Sequence, residues 1–105
     1  MIITKSEPFT IKEIEKLKEQ KIALESLALD LKRVSLGYHR GSVKMAERFY
    51  EEAVRRRDET DLSSLKPYIR KVLSKIQTLQ KDRSRTAEDA QMISTLVQNY
   101  TTHNF

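Results

Sequence analysis

The sequence predicts an all-α protein, a four-helix bundle with a long first helix, three shorter helices and mainly antiparallel neighbours. Three observations predict it. Apolar residues recur at three-, four- and seven-residue spacing, and no stretch alternates with the two-residue period of a strand. Gly and Pro each occur only twice in 105 residues, so few points interrupt a helix. Lys, Glu, Leu and Ala, all strong helix formers, dominate the first segment. No internal repeat is present, and residues 1–105 form one helical domain with short connections that favour antiparallel neighbours.

Residues 1–9 are expected to be irregular, with Pro8 as a helix boundary. Thr10-x-x-Glu13 is a capping box, in which the hydroxyl serves a free N–H and the carboxylate reaches back. Phe9 is placed to staple against Ile14. The first helix then carries Ile14, Leu17, Leu24, Leu27, Ala28, Leu31, Val34 and Tyr38 on one stripe, interrupted by Gln20 and Lys21. Gly41 is favoured as its left-handed terminator, with Ser42 capping the next helix. If Gly37 ends it instead, the helix is one turn shorter.

The second helix covers roughly 43–57, with Val43, Ala46, Phe49, Tyr50, Ala53 and Val54 inward and a polar turn at 58–61. Ser63 or Ser64 is expected to cap the third helix, with Pro67 in its first turn. Leu65, Tyr68, Ile69, Val72, Leu73, Ile76 and Leu79 form its stripe, and residues 81–85 break it. Thr86-x-x-Asp89 is a second capping box, opening a fourth helix over about 87–101 with Ala90, Ile93, Leu96, Val97 and Tyr100 inward. Residues 102–105 are expected to fray.

A helix from 11 to about 39 is roughly 40 Å long, against roughly 22–25 Å for the others. The N-terminal half of the first helix is therefore expected to project, leaving Ile11, Ile14, Leu17, Ile22 and Leu24 in need of cover. A second copy of the chain supplies it most simply, giving a homodimer whose interface includes Ile14, Leu17, Ile22 and Leu24. A bent first helix, or one packed along two short helices end to end, is the alternative.

Twenty Lys and Arg against fifteen Asp and Glu give a net charge of +5. The excess is uneven. Residues 1–53 hold ten basic and nine acidic side chains, whereas 54–105 hold ten and six. Between 66 and 85 lie Lys66, Arg70, Lys71, Lys75, Lys81, Arg83 and Arg85, with Asp82 as the single acid. Such a segment concentrates anionic partners, either a nucleic-acid backbone or an acidic protein. Tyr68 falls on the apolar stripe in this register, so no aromatic is interleaved with the cations, and contact to phosphates is expected without base stacking. Arg55, Arg56 and Arg57 complement the dipole at a helix C-terminus. They could also extend the basic surface.

Cysteine is absent, so disulfides, thiolate zinc sites and Cys nucleophiles are excluded. Two His and no Glu-x-x-His pair give no metal site, and no phosphate-cradling glycine loop suggests a cofactor. No apolar run of membrane-spanning length and no leader stand out, so a cytoplasmic, membrane-free protein is expected.

Two local patterns resemble known families. In RVSLGYH, Arg33 and His39 resemble the Arg-x4–6-His pattern of HEPN-type domains, small helical dimers that include metal-independent ribonucleases. The resemblance implies His39 as general acid or base, with Arg33 and Arg40 stabilising phosphorane charge. In GSVKMAERFYEEAVRRRDE, Gly41, Ala46, Tyr50 and Ala53 resemble the second half of a tetratricopeptide repeat. No second copy follows, which points to a tight helical hairpin and not a solenoid. In size, helix content and charge the chain also resembles small helical subunits of nucleoprotein complexes, such as RNA-guided interference complexes. The expected function is a non-catalytic binding module or accessory subunit that uses residues 66–85. A dimerisation adaptor built on the overhanging first helix is second, and a ribonuclease third.

Overall fold

A computed structural model describes residues 10–81 and 83–105, the side chains of residues 80, 81, 83 and 84 excepted. It contains α1 (Ile11–His39), α2 (Val43–Glu59), a 3-10 turn at Leu62–Ser64, α3 (Pro67–Ser74) continuing as a 3-10 segment Lys75–Lys81, and α4 (Arg83–Asn104). No strand occurs among the described residues. The expectations for residues 1–9, including the Phe9 staple, and for Asp82 lie outside the described residues.

α1 is the spine, packed along both α2 and α4. The chain makes four passes, alternately up and down. Asp30 meets Arg56 across α1 and α2, and Tyr50 Oη donates to the Ile76 carbonyl at 2.8 Å. The Lys66 N–H donates to Tyr100 Oη at 3.2 Å between α3 and α4, and Ser94 Oγ donates to the Ala28 carbonyl at 2.6 Å between α4 and α1. The core follows the expected stripes, with Leu24, Leu27, Leu31 and Val34 of α1, Ala53 of α2, Ile69, Leu73 and Ile76 behind them, and Ile93 and Val97 of α4.

Both ends of α1 form as their chemistry dictates. The Thr10–Glu13 box closes with two hydrogen bonds of 3.2 Å. At the other end Arg40 is the C-cap and Gly41 takes the left-handed conformation at φ +76°. The Ser42 N–H donates to the Gly37 carbonyl at 2.7 Å and the Gly41 N–H to that of Tyr38 at 3.2 Å, which satisfies two orphan carbonyls in a Schellman motif. Gly37 stays helical for a different reason, because α2 crosses there. An added Cβ would stand 2.9 Å from both the Cβ and the backbone N of Ala46.

Several local expectations are corrected. Ser42 is the N-cap of α2, but its hydroxyl makes no capping bond, and α2 runs on to Glu59. Neither Ser63 nor Ser64 caps α3. They belong to a separate 3-10 turn capped by Asp61, and Lys66 is the N-cap. Pro67 forces this, since the residue before a proline is driven into extended backbone; Lys66 has ψ 148°. Thr86 is not a cap either. α4 begins at Arg83, and Thr86 is buried inside it with its hydroxyl on the Leu79 carbonyl. The tail is helical to Asn104, held by the Asn104 amide on the Tyr100 carbonyl at 3.0 Å and by Phe105 edge-on to Tyr100. Tyr68, Leu96 and Val43 are exposed, not inward.

The molecule is long and narrow, 60 × 21 × 19 Å. The first two turns of α1 project as expected, with Ile11 and Ile14 exposed and Leu17 half-buried. Leu24, however, is not an interface residue. It is fully enclosed by the chain's own core, because it sits in register with Leu27 and Leu31.

Candidate nucleic-acid interface

Tertiary contacts hold α3 in place, because eight residues make a helix too short to persist alone in water. Ile69 and Leu73, then Ile76, turn inward and leave Arg70, Lys71, Ser74 and Lys75 facing out. Two tyrosines fix its ends. Tyr100 of α4 accepts the Lys66 N–H and packs edge-on to Tyr68, with ring centroids 5.8 Å apart. Tyr50 of α2 binds the Ile76 carbonyl, and burial pushes its phenol above the usual value, opposed by the Arg57 charge, so it stays a donor. On the outer face the hydroxyls of Ser74 and Thr78 turn back onto the carbonyls of Lys71 and Lys75, leaving the ammonium groups to water.

Lys66, Arg70, Lys71, Lys75 and Arg85 are all exposed, and none forms an ion pair among the described residues. No Asp or Glu occurs between residues 62 and 81. Acids of the packed elements come close to it: Asp89 of α4 lines a groove with Lys75, and Asp58 of α2 lines another with Ser74 and Gln77. The side chains of Lys81 and Arg83 lie outside the described residues.

The arginines of α2 behave differently. Arg55 pairs with Glu52 and Glu59, and its hydrogen bond holds the Glu52 carboxyl below the usual carboxylate range. Arg56 Nε lies 2.7 Å from Oδ2 of the buried Asp30, and the buried Arg57 pairs with Asp58 at 2.6 Å. Arg56 thus bridges α2 to α1, while Arg55 and Arg57 are paired within α2 itself. Sequence reasoning missed Asp30, although an acid next to Leu31 on an otherwise apolar stripe was a signal that a cation must meet it.

The candidate catalytic pair is not brought together. Arg33 lies over the Phe49 ring at 5.1 Å and pairs with Asp30 at 3.8 Å. His39 is the exposed last residue of α1 and Arg40 its C-cap. Six residues along a helix separate two side chains by about 120°. Among the described residues no three His, Asp or Glu side chains gather, and no helix is long and apolar enough to cross a membrane.

Of the proposed interface residues, Ile22 is 61% exposed but lies on the face of α1 opposite Leu24. There it aligns with Leu29 and Leu36, both exposed, at seven-residue spacing. That second stripe was also missed, though its heptad spacing is written in the sequence. Comparison with known proteins returns no matching family model, no similar curated sequence and no similar solved structure.

Proposed function

We propose that this chain is a non-catalytic helical binding module whose α3 face contacts the phosphate backbone of nucleic acid. One observation carries it. Lys66, Arg70, Lys71 and Lys75 are exposed, lie on a segment without Asp or Glu and form no ion pair among the described residues, while Arg55, Arg56 and Arg57 of α2 are paired within the fold. The four span about 14 Å of helix axis, a spacing over which several phosphates can be met at once. Point charges in this arrangement read the backbone and not the sequence.

The test is a binding isotherm at two salt concentrations. Four phosphate contacts give a slope of log affinity on log salt of about −2.8 to −3.6. A fourfold rise in salt then weakens binding about 50- to 150-fold. Lys66, Arg70, Lys71 and Lys75→Glu should abolish binding. Reversing Lys32, Arg40, Lys44 and Arg48, four exposed cations elsewhere, should lower it only slightly. Equal loss in the two quadruple variants would show that net charge, not the α3 face, is responsible.

A second reading is favoured by the outward stripe on α1. Ile22, Leu29 and Leu36, with Ile11 and Ile14 beyond the bundle, form an apolar line of the kind a second copy of the chain covers. On this reading the protein is a dimer, and Ile22→Lys converts it to a monomer in sedimentation equilibrium. A wild-type monomer at high concentration would rule it out.

A further inference from the structure

We infer that the nucleic acid met by this face is single-stranded, its bases stacking on Tyr68 while its phosphates lie on Lys66, Lys71 and Lys75. The inference rests on the proposed backbone contact and adds the form of the ligand to it.

Tyr68 is 54% exposed and stands between Lys66 and Lys71 in the chain, on the flank of α3 that faces α4. An aromatic ring left in water beside unpaired cations is a poor use of apolar surface for the monomer. Its ring is already positioned, edge-on to Tyr100 at 66°, and Tyr100 is in turn braced by Phe105 at 73°. A base that stacks there meets a ring whose rotamer freedom is already reduced, so less entropy is lost on binding. The apolar surface does not stop at Tyr68. Leu96 and the 49% exposed Met92 continue it along α4, one turn apart. Lys71 and Lys75, three and seven residues on from Tyr68, share its flank of α3, and Lys75 lines one groove with Met92 and Asp89.

That pairing matches one strand of nucleic acid, which offers phosphates along one edge and apolar base faces along the other. A duplex keeps its base faces stacked inside and presents phosphates alone, so Tyr68, Leu96 and Met92 would stay wet against it. Stacking on a flat ring also needs no cavity.

The experiment compares an oligothymidylate and an oligouridylate about twenty nucleotides long with a duplex of the same length, at one salt concentration. Tyr68→Leu keeps an apolar contact to Tyr100 but removes the aromatic face, and Tyr68→Phe keeps both. The chain has no Trp, so Tyr68→Trp supplies a single indole at the site. Three results are expected. Single strands bind about tenfold tighter than the duplex, and Tyr68→Leu removes most of that advantage while Tyr68→Phe retains it. The indole is quenched by oligothymidylate but not by heparin, which carries charge without bases. Equal affinity for strand and duplex, unchanged by Tyr68→Leu and with no quenching, overturns the stacking inference and leaves the backbone contact standing. Binding that survives reversal of the four α3 cations overturns both. So does binding of a Leu- and Glu-rich amphipathic peptide by a chain that binds no nucleic acid.

Discussion

Replacing Gly37 by alanine sets two effects of opposite sign against each other. In an exposed helix the change would stabilise the protein by about 1 kcal/mol, the usual difference in helix propensity. Gly37 is not exposed. Its new Cβ would lie 2.9 Å from the Cβ of Ala46, 2.9 Å from its N and 3.0 Å from its Cα. Ordinary carbon contacts lie at about 3.5–4.0 Å. Two of the three neighbours are backbone atoms, so no rotamer change relieves the overlap, and α2 must move by about 0.5–1 Å. The connection offers little slack, because it is the Schellman turn itself and the Ser42 N–H is bonded to the Gly37 carbonyl at 2.7 Å. Overpacking of this kind costs about 1–3 kcal/mol, and here the cost falls in the upper half of that range. The net expectation is a destabilisation of about 1–2 kcal/mol, or roughly 1 M in the urea midpoint with an unchanged slope. Helical circular dichroism in urea measures it. Gly41→Ala is the contrasting variant. Nothing lies within 4 Å of its added Cβ, and its cost of about 1 kcal/mol arises from φ +76° alone. An Ala46→Gly background should relieve part of the Gly37→Ala penalty and none of the Gly41→Ala penalty. If Gly37→Ala raised the midpoint, helix propensity would have won, and α1 and α2 could not cross at Ala46.

Two further outcomes are expected. Asp30→Asn should cost about 1–2 kcal/mol, less than breaking a fully enclosed pair, because Arg56 and Arg33 keep part of their side chains in water. A double-mutant cycle of Asp30→Asn with Arg56→Gln should show coupling between them, and strict additivity would mean the pair contributes nothing. The hydrogen bonds from Ser63, helped by Lys16, hold the Asp61 carboxyl below its ordinary value of 3.8. A depressed carboxylate adds stability at pH values above its unfolded pKa, and that stability is lost as pH falls through the folded pKa. The difference in melting temperature between wild type and Asp61→Asn should therefore be constant near neutrality and shrink below about pH 4. A gap that widened on acidification would reverse the assigned sign.

The parts of the fold legible in the sequence were those fixed within one or two helical turns. Thr10 and Glu13 cap a helix wherever it lies, Gly41 ends one because its φ suits no side chain well, and Leu24, Leu27, Leu31 and Val34 share a face by geometry alone. Local pattern misleads where tertiary position outweighs it. Thr86-x-x-Asp89 has the letters of a capping box, but Thr86 also stands four residues before Ala90 and seven before Ile93, on the buried stripe. Burial took it, and its hydroxyl found the Leu79 carbonyl. Tyr68 and Ile69 were both assigned inward, yet adjacent residues of a helix differ by about 100° and only one can point at the core. Ile69 holds that place, and Tyr68 moves to the flank. The α3 cations were visible in the sequence; the aromatic beside them was placed on the wrong face.

The division of labour among the cations explains why a modest net charge can act locally. Arginine suits α2 because a planar fork can hold a carboxylate in geometries where an ammonium would be left partly unpaired. Asp30, Glu52, Asp58 and Glu59 lie within reach to accept it. Once these pairs form, their charges cancel at short range and add little to the outer field. On α3 the opposite holds. Lys66 and Arg70, and Lys71 and Lys75, are like charges at four-residue spacing, each pair costing a few tenths of a kcal/mol in a helix. No acid on the segment offsets this. The core contacts of Ile69, Leu73 and Ile76 keep the helix formed in spite of that repulsion, and an anion laid along the face would remove it. The protein thus carries a small electrostatic cost that a bound anion would relieve, and it carries it on the same short helix as the exposed ring of Tyr68.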